Sequence, residues 1–166
     1  MNKKLSLEKL SVLFDNKIFI MLQRIGPCEN EFKNTAHGLT IEQFKAWLIE
    51  QYDWSEGINL PDGFVAQTIF WLYDGDTPVG IGKIRHGFND NTRRIGGNIG
   101  YAIDPLYRGR GYATKLLREL LLKADELGIE EKLLSVEKYN PTSKSVIEKN
   151  GGKLIKENEE RWFFSF

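Results

Sequence analysis

The residues of this chain best suited to chemistry are Arg108-Gly109-Arg110-Gly111-Tyr112-Ala113. Glycines let an anion approach the backbone without meeting a Cβ, and the two arginines add positive charge. Such a loop binds phosphate when it opens a helix, because the first helical amides have no intrahelical acceptor and the helix dipole is positive there. The flanking sequence meets that condition. Upstream, Ile99–Ile103 reads as a short apolar strand closed by Asp104-Pro105, since proline cannot donate to a sheet ladder. Downstream, Ala113, Leu116, Leu117, Leu120, Leu121, Ala124 and Leu127 recur on one helical face, and Gly128 is the expected stop. The expectation is a phosphate-bearing ligand. A surface turn with two solvated arginines uses the same residues, and the loop alone does not separate the two.

Two nucleotide loops fit less well. A Walker-type loop needs Gly-Lys-Ser/Thr at the helix start, whereas Gly111 is followed by Tyr112-Ala113. A dinucleotide fingerprint needs a third glycine where Thr114 stands, although Glu137 supplies an acidic residue at the end of the next strand.

The loop resembles the pyrophosphate loop of the GNAT superfamily, the acyl-CoA-dependent N-acyltransferases, whose pattern is Gln/Arg-x-x-Gly-x-Gly/Ala. The strand and proline turn before it, Tyr101-Ala102-Ile103-Asp104-Pro105, are similar to that family as well. So is Asn140-Pro141-Thr142-Ser143, which follows the next strand. Within the superfamily, Ile84-Arg85-His86, Gly96-Gly97-Asn98-Ile99-Gly100-Tyr101 and Ile147-Glu148-Lys149-Asn150-Gly151-Gly152 resemble a bacterial group of predicted acetyltransferases. The resemblance covers residues 64–166 and is thin before them.

Composition sets outer bounds. The 166 residues carry 23 basic and 23 acidic side chains, a formal net charge of zero, so a broad nucleic-acid surface is not expected. The length suits one domain, 1–166, with a sizeable core. Cys28 is the single cysteine, which excludes an internal disulfide or a cysteine zinc site. No secretory signal or membrane-spanning run is evident, so the cytoplasm is the expected location.

Along the chain, residues 5–14 read as a helix and 18–22 as a strand, with a stop at Gly26-Pro27 and a loop over 28–39. Thr40 and Gln43 form a capping box opening a helix over 40–52, with Ile41, Phe44, Trp47 and Leu48 facing inward. Residues 53–63 read as loop, 64–73 and 79–86 as a hairpin around Asp74-Gly75-Asp76, and 98–103 as the third strand of a meander. Gly100 predicts a bulge or a close backbone approach. After the long helix, 132–136 reads as a strand, Asn140-Pro141 opens a short helix, and 154–156 with 162–166 forms a terminal hairpin. The resemblance implies a GNAT-like α/β (α+β) fold: a mixed, mostly antiparallel central sheet with a splayed parallel strand pair, flanked by helices. It divides the chain into an acceptor side, 1–63, and an acyl-CoA-binding core, 64–166.

The resemblance also implies acetyl-CoA as cosubstrate, no metal, and direct attack of a primary amine on the thioester in a ternary complex. Backbone amides of Arg108, Gly109, Arg110, Gly111, Tyr112 and Ala113 would hold the pyrophosphate, with Thr114 adding a hydroxyl. The backbone of Tyr101, Ala102 and Ile103 would pair with the pantetheine, and a backbone N–H of this strand would serve the oxyanion. Asn140 and Ser143 would contact the cofactor, although asparagine before proline is equally a helix cap. The tyrosine that many members carry seven residues after that asparagine, as acid towards the thiolate, is here Ile147. That leaves the acid unassigned and keeps a non-catalytic CoA-binding or regulatory module as the alternative. His86 and Glu137 are the candidate bases. Trp47, Tyr52, Trp54 and Trp71 suit either an acceptor pocket or the core. The acceptor is a small-molecule or peptide amine; exposed terminal strands leave room for a homodimer.

Overall fold

The computed structural model describes residues 4–29 and 31–166. Strand β1 (Leu5–Lys9) is followed by α1 (Asn16–Arg24), the short β2 (Cys28–Glu29) and β3 (Phe32–Lys33), and α2 (Ile41–Ser55). Then come β4 (Gln67–Asp74), β5 (Thr77–Arg85), β6 (Ile99–Ile103), α3 (Tyr112–Glu126), β7 (Leu133–Glu137), α4 (Pro141–Lys149), β8 (Lys153–Glu157) and β9 (Arg161–Ser165).

The N-terminal expectation is reversed. Residues 5–9 form a strand because they find the free edge of β4, pairing antiparallel from Leu5↔Asp74 to Lys9↔Phe70. Residues 16–24 form a helix. Asp15 caps it by accepting from the Lys17 N–H at 2.7 Å, and Ile18, Met21 and Leu22 are buried at helical spacing. The loop expected over 28–39 contains the small β2–β3 hairpin. Thr40 and Gln43 do form a reciprocal capping box, and α2 runs one turn beyond Tyr52.

The antiparallel strands form two larger sheets rather than one. The first has the order β1-β4-β5-β6 and the second β7-β9-β8. One core cluster lies between the sheets and α3, centred on Leu72, Ile84, Leu116, Leu117, Leu120, Ile147 and Phe164. A second lies on the other face of the first sheet, where Met21, Leu22, Phe44, Leu48, Ile69 and Ile81 pack α1 and α2 onto β4 and β5. Gly82 lets α3 come close: a Cβ there would sit 2.6 Å from Leu120. Trp47 and Trp71 belong to the second cluster, while Trp54 packs against Phe64.

β6 and β7 are the facing edges of the two sheets. They are joined at Gly97 and Asn98, where the Asn98 N–H donates to Leu133 O at 3.0 Å and Gly97 forms an isolated bridge with Leu134. Both strands leave from that join. Beyond it no ladder bond connects them among the described residues, so the expected splay is complete. The isolated Gly97–Leu134 bridge is antiparallel and lies before β6 begins. The Gly100 bulge is absent: β6 keeps regular register with β5, from Gly80↔Ile103 to Ile84↔Ile99. Gly100 instead lies under the Phe32 ring, 3.6 Å from where its Cβ would be.

Candidate active site

Helix α3 begins without a side-chain cap. Its N-cap, Gly111, has φ +79°, and Gly109 has φ +73°, conformations that favour glycine. Apart from the chain neighbours, no described residue comes within 4 Å of the Cβ position at either glycine, so the backbone there is open. The arginines frame the loop rather than pointing freely. Arg108 donates from Nε to Ile103 O at 3.0 Å and pairs with Glu29 of the β2–β3 hairpin; Arg110 donates to Leu106 O and lies over the Tyr107 ring. Asp104, fully buried, caps the turn before the loop through the Leu106 N–H at 3.0 Å. It also accepts from Arg24 Nε at 2.8 Å, tying α1 to the end of β6. That carboxylate raises the Arg24 pKa through its hydrogen bond.

The loop follows β6, whose edge away from β5 has no ladder partner among the described residues, so a helix N-terminus without a side-chain cap adjoins an open strand edge. The first can hold a diphosphate and the second the amides of an extended chain. On the far side of the cleft, Asn140 accepts from the Ser143 N–H at 3.1 Å, capping α4, and Ser143 bonds the Tyr101 hydroxyl at 2.7 Å across from β6.

A sequence model of the acetyltransferase (GNAT) family matches residues 32–152, more than half of the chain. The chain belongs to the GNAT family. A Bacillus subtilis (strain 168) protein described as an uncharacterized N-acetyltransferase, YfmK, is 32% identical over 76 residues. That match spans 46% of this chain and 47% of the relative, about half of each. Among solved structures, the ribosomal L7/L12 alpha-N-protein acetyltransferase RimL in complex with coenzyme A superposes with a TM-score of 0.71 at 11% identity, covering 98% of this chain and 93% of that one. The Campylobacter jejuni N-acetyltransferase PseH in complex with acetyl coenzyme A gives 0.64 at 10% identity, covering 98% of both. At those identities the likeness is one of fold.

Within this GNAT fold the two candidate bases lie apart. Glu137 ends β7, the strand lining the cleft, and faces Arg161 across the β7–β9 ladder. Arg161 donates to Glu137 Oε1 at 3.2 Å and to Ser135 Oγ at 2.9 Å, and pairs with Glu31 of the β2–β3 hairpin. Glu137 Oε2 is buried, with no hydrogen-bond partner among the described residues. His86 follows β5 and bonds Thr68 of β4 through Nε2 at 2.7 Å, on the side of β5 away from β6. Burial first, and then Lys9, lower its pKa.

Ile147 is 1% exposed in the core, and Tyr139 is 71% exposed. Arg161 on β9 and Glu29 and Glu31 on the β2–β3 hairpin carry no motif and become visible only in the fold, where Glu29 pairs with Arg108 and Glu31 with Arg161. Lys83 was equally hidden. It is buried on β5 opposite Gly100, donates to Lys33 O at 2.7 Å and lies over the Phe32 ring; burial, then Arg85, lowers its pKa to about 7. A cavity of about 570 Å³ between β1, β4, α1 and α2, lined by Glu8, Phe14, Asp15, Trp71 and Tyr73, is separated from the cleft by β5. Among the described residues no group of three or more His, Cys, Asp and Glu is arranged to hold a metal. No helix there is long and apolar enough to cross a membrane.

Proposed function

We propose that this GNAT chain is an N-acyltransferase that moves the acetyl group of acetyl-CoA to a primary amine by direct attack in a ternary complex. The observation that carries this reading is the adjacency of the uncapped α3 N-terminus to the open edge of β6. Amides of 108–113, with Thr114, are assigned to the pyrophosphate, the β6 backbone to the pantetheine, and Asn140 and Ser143 to the far wall. Acetyl-CoA supplies an activated thioester. The protein's part is to orient it, take a proton from the incoming ammonium and stabilise the oxyanion through a β6 N–H.

Glu137 is the better base of the two. It ends β7, the strand facing β6, and its buried Oε2 lacks a partner among the described residues, whereas His86 is turned towards β4. Residues 1–63 form the acceptor side of the single domain, the β2–β3 hairpin lying over Gly100. The acceptor is a small-molecule or peptide amine, and the reaction suits the cytoplasm. The experiment is thiol release from acetyl-CoA with a panel of amines. Glu137→Gln is expected to lower kcat/KM about 10²-fold while His86→Gln changes it little. The core packing of Ile147 favours one second reading, a CoA-binding module without catalysis. CoA binding with no thiol release for any amine would select it.

A further inference from the structure

We propose that the cavity between β1, β4, α1 and α2 is a second binding site, one for a small organic ammonium ion with an aromatic or alkyl body. The site lies outside the acyl cleft, and the inference does not rest on the acyltransfer reading.

The cavity follows from how the first sheet is covered. Helix α2 packs on β4 and α1 on β5, whereas β1 is the outermost strand. Leu5 and Leu7 turn to the core cluster on the far face of the sheet. Alternation therefore puts Ser6 and Glu8 on the helix face, opposite Tyr73 and Trp71. The chain leaves β1 at Lys9 and enters α1 only at Asn16, and the connection between them forms part of the wall. What remains is a cavity of about 570 Å³ with Ile18, Phe44, Leu48 and Trp71 as its buried apolar floor. Small-molecule sites span roughly 300–1,000 Å³.

Charge decides the ligand. Among the described residues neither Glu8 nor Asp15, the two carboxylates of the wall, forms an ion pair. The lysines around the cavity are engaged with carboxylates that do not line it: Lys9 with Glu56 at 3.1 Å, Lys17 with Asp76 at 3.1 Å and Lys45 with Glu42 at 3.0 Å. Asp15 accepts from the Lys17 N–H at 2.7 Å and from the Tyr73 hydroxyl at 3.3 Å, and neither donor group carries a charge. Burial first, and then Asp15 and Glu8, push the Tyr73 phenol above its ordinary value, so both carboxylates act on one point of the wall. The cavity is complementary to a cation.

The rings supply the other half of recognition. A cation within about 6 Å of a ring centroid is attracted by the π face. Lys45 Nζ already lies 5.6 Å from the centroid of the Phe14 ring, one of the wall residues. An ammonium held by Glu8 and Asp15 leaves its apolar body to the floor of Trp71, Phe44 and Leu48. A hydrated inorganic cation gains nothing from that floor, and a neutral ring gains nothing from the carboxylates.

The probe is benzyltrimethylammonium, whose quaternary nitrogen cannot accept an acyl group, so binding is read without turnover. It is titrated into the 15N-labelled protein and followed by NMR, beside neutral benzyl alcohol and anionic phenylacetate. The expected result is saturable shifts at the amides of Glu8, Asp15, Trp71 and Tyr73 with a Kd of about 1 mM, and none in the 108–113 loop. Benzyl alcohol should bind about tenfold less tightly and phenylacetate not at all. Glu8→Gln combined with Asp15→Asn should weaken the probe about tenfold, while asparagine still caps α1. Thermal unfolding checks the fold of the double variant, and Glu8→Gln alone, at an exposed position, carries the test if that variant does not fold. No saturable shift at these amides, benzyl alcohol binding as tightly as the cation, or a folded variant that binds the probe like wild type overturns the inference. None of these outcomes depends on CoA binding, so the acyltransfer reading stands or falls separately.

Discussion

Asp104, Arg24, Arg161 and Lys83 show how single residues around the cleft acquire meaning only in three dimensions. In sequence Asp104 merely ends a strand; in the fold it is a buried acceptor linking α1 to the loop. Lys83 gives the clearest test at this scale. Its pKa is depressed in the folded state, to about 7 from an ordinary 10.5, because burial disfavours the ammonium. Between those values the unfolded chain binds the extra proton, so Lys83 makes stability rise with pH across that window. Its full cost is present below pH 7. Comparing Lys83→Met with wild type by urea unfolding should show the variant gaining at pH 7. The gap should close by about 1.4 kcal/mol per pH unit at most as pH rises towards 10.5. A gap independent of pH would mean that Lys83 is solvated.

At the scale of elements, helix starts separate structure from function. Asp15 caps α1, Thr40 caps α2 and Asn140 caps α4, while α3 begins at a glycine with no cap. Thr40→Ala should cost about 1 kcal/mol in urea unfolding and leave acetyl-CoA affinity unchanged, since α2 needs its own cap and no ligand. Loss of affinity would place α2 in the cofactor site. The α2 box and the α3 loop were legible in sequence because each depends on residues three or four apart. The N-terminal elements were not. Ile18, Met21, Leu22 and Ile25 do recur at helical spacing, but the apolar run 18–22 also has strand composition. The pairing that makes residues 5–9 a strand is supplied by β4, more than sixty residues away.

At the scale of the whole molecule, the functional feature is a gap between two sheets, and a gap has no sequence motif. The meander, the loop and the order of elements were readable from residue 64 onwards. What holds the gap at its closed end was not: Asn98, fully buried, donates to Glu131 O at 2.7 Å and accepts from the Leu133 N–H at 2.8 Å. Asn98→Ala strands both groups and should cost about 3 kcal/mol, read as a lowered urea midpoint. Less than 1 kcal/mol would mean that water replaces the clasp. The acidic hairpin that reaches Arg108 and Arg161 was likewise hidden, because Glu29 and Glu31 lie in a stretch that reads as loop. The central claim is that the uncapped α3 N-terminus and the free β6 edge together bind the acyl donor. The most direct measurement is calorimetric titration of wild type and Gly111→Asp with acetyl-CoA, CoA, ATP and NAD. The account predicts that the wild type binds both CoA forms in preference to the nucleotides, and that a carboxylate at position 111 abolishes this binding in a folded protein. A folded wild type that binds no CoA form, or a Gly111→Asp variant that binds them equally well, would contradict it.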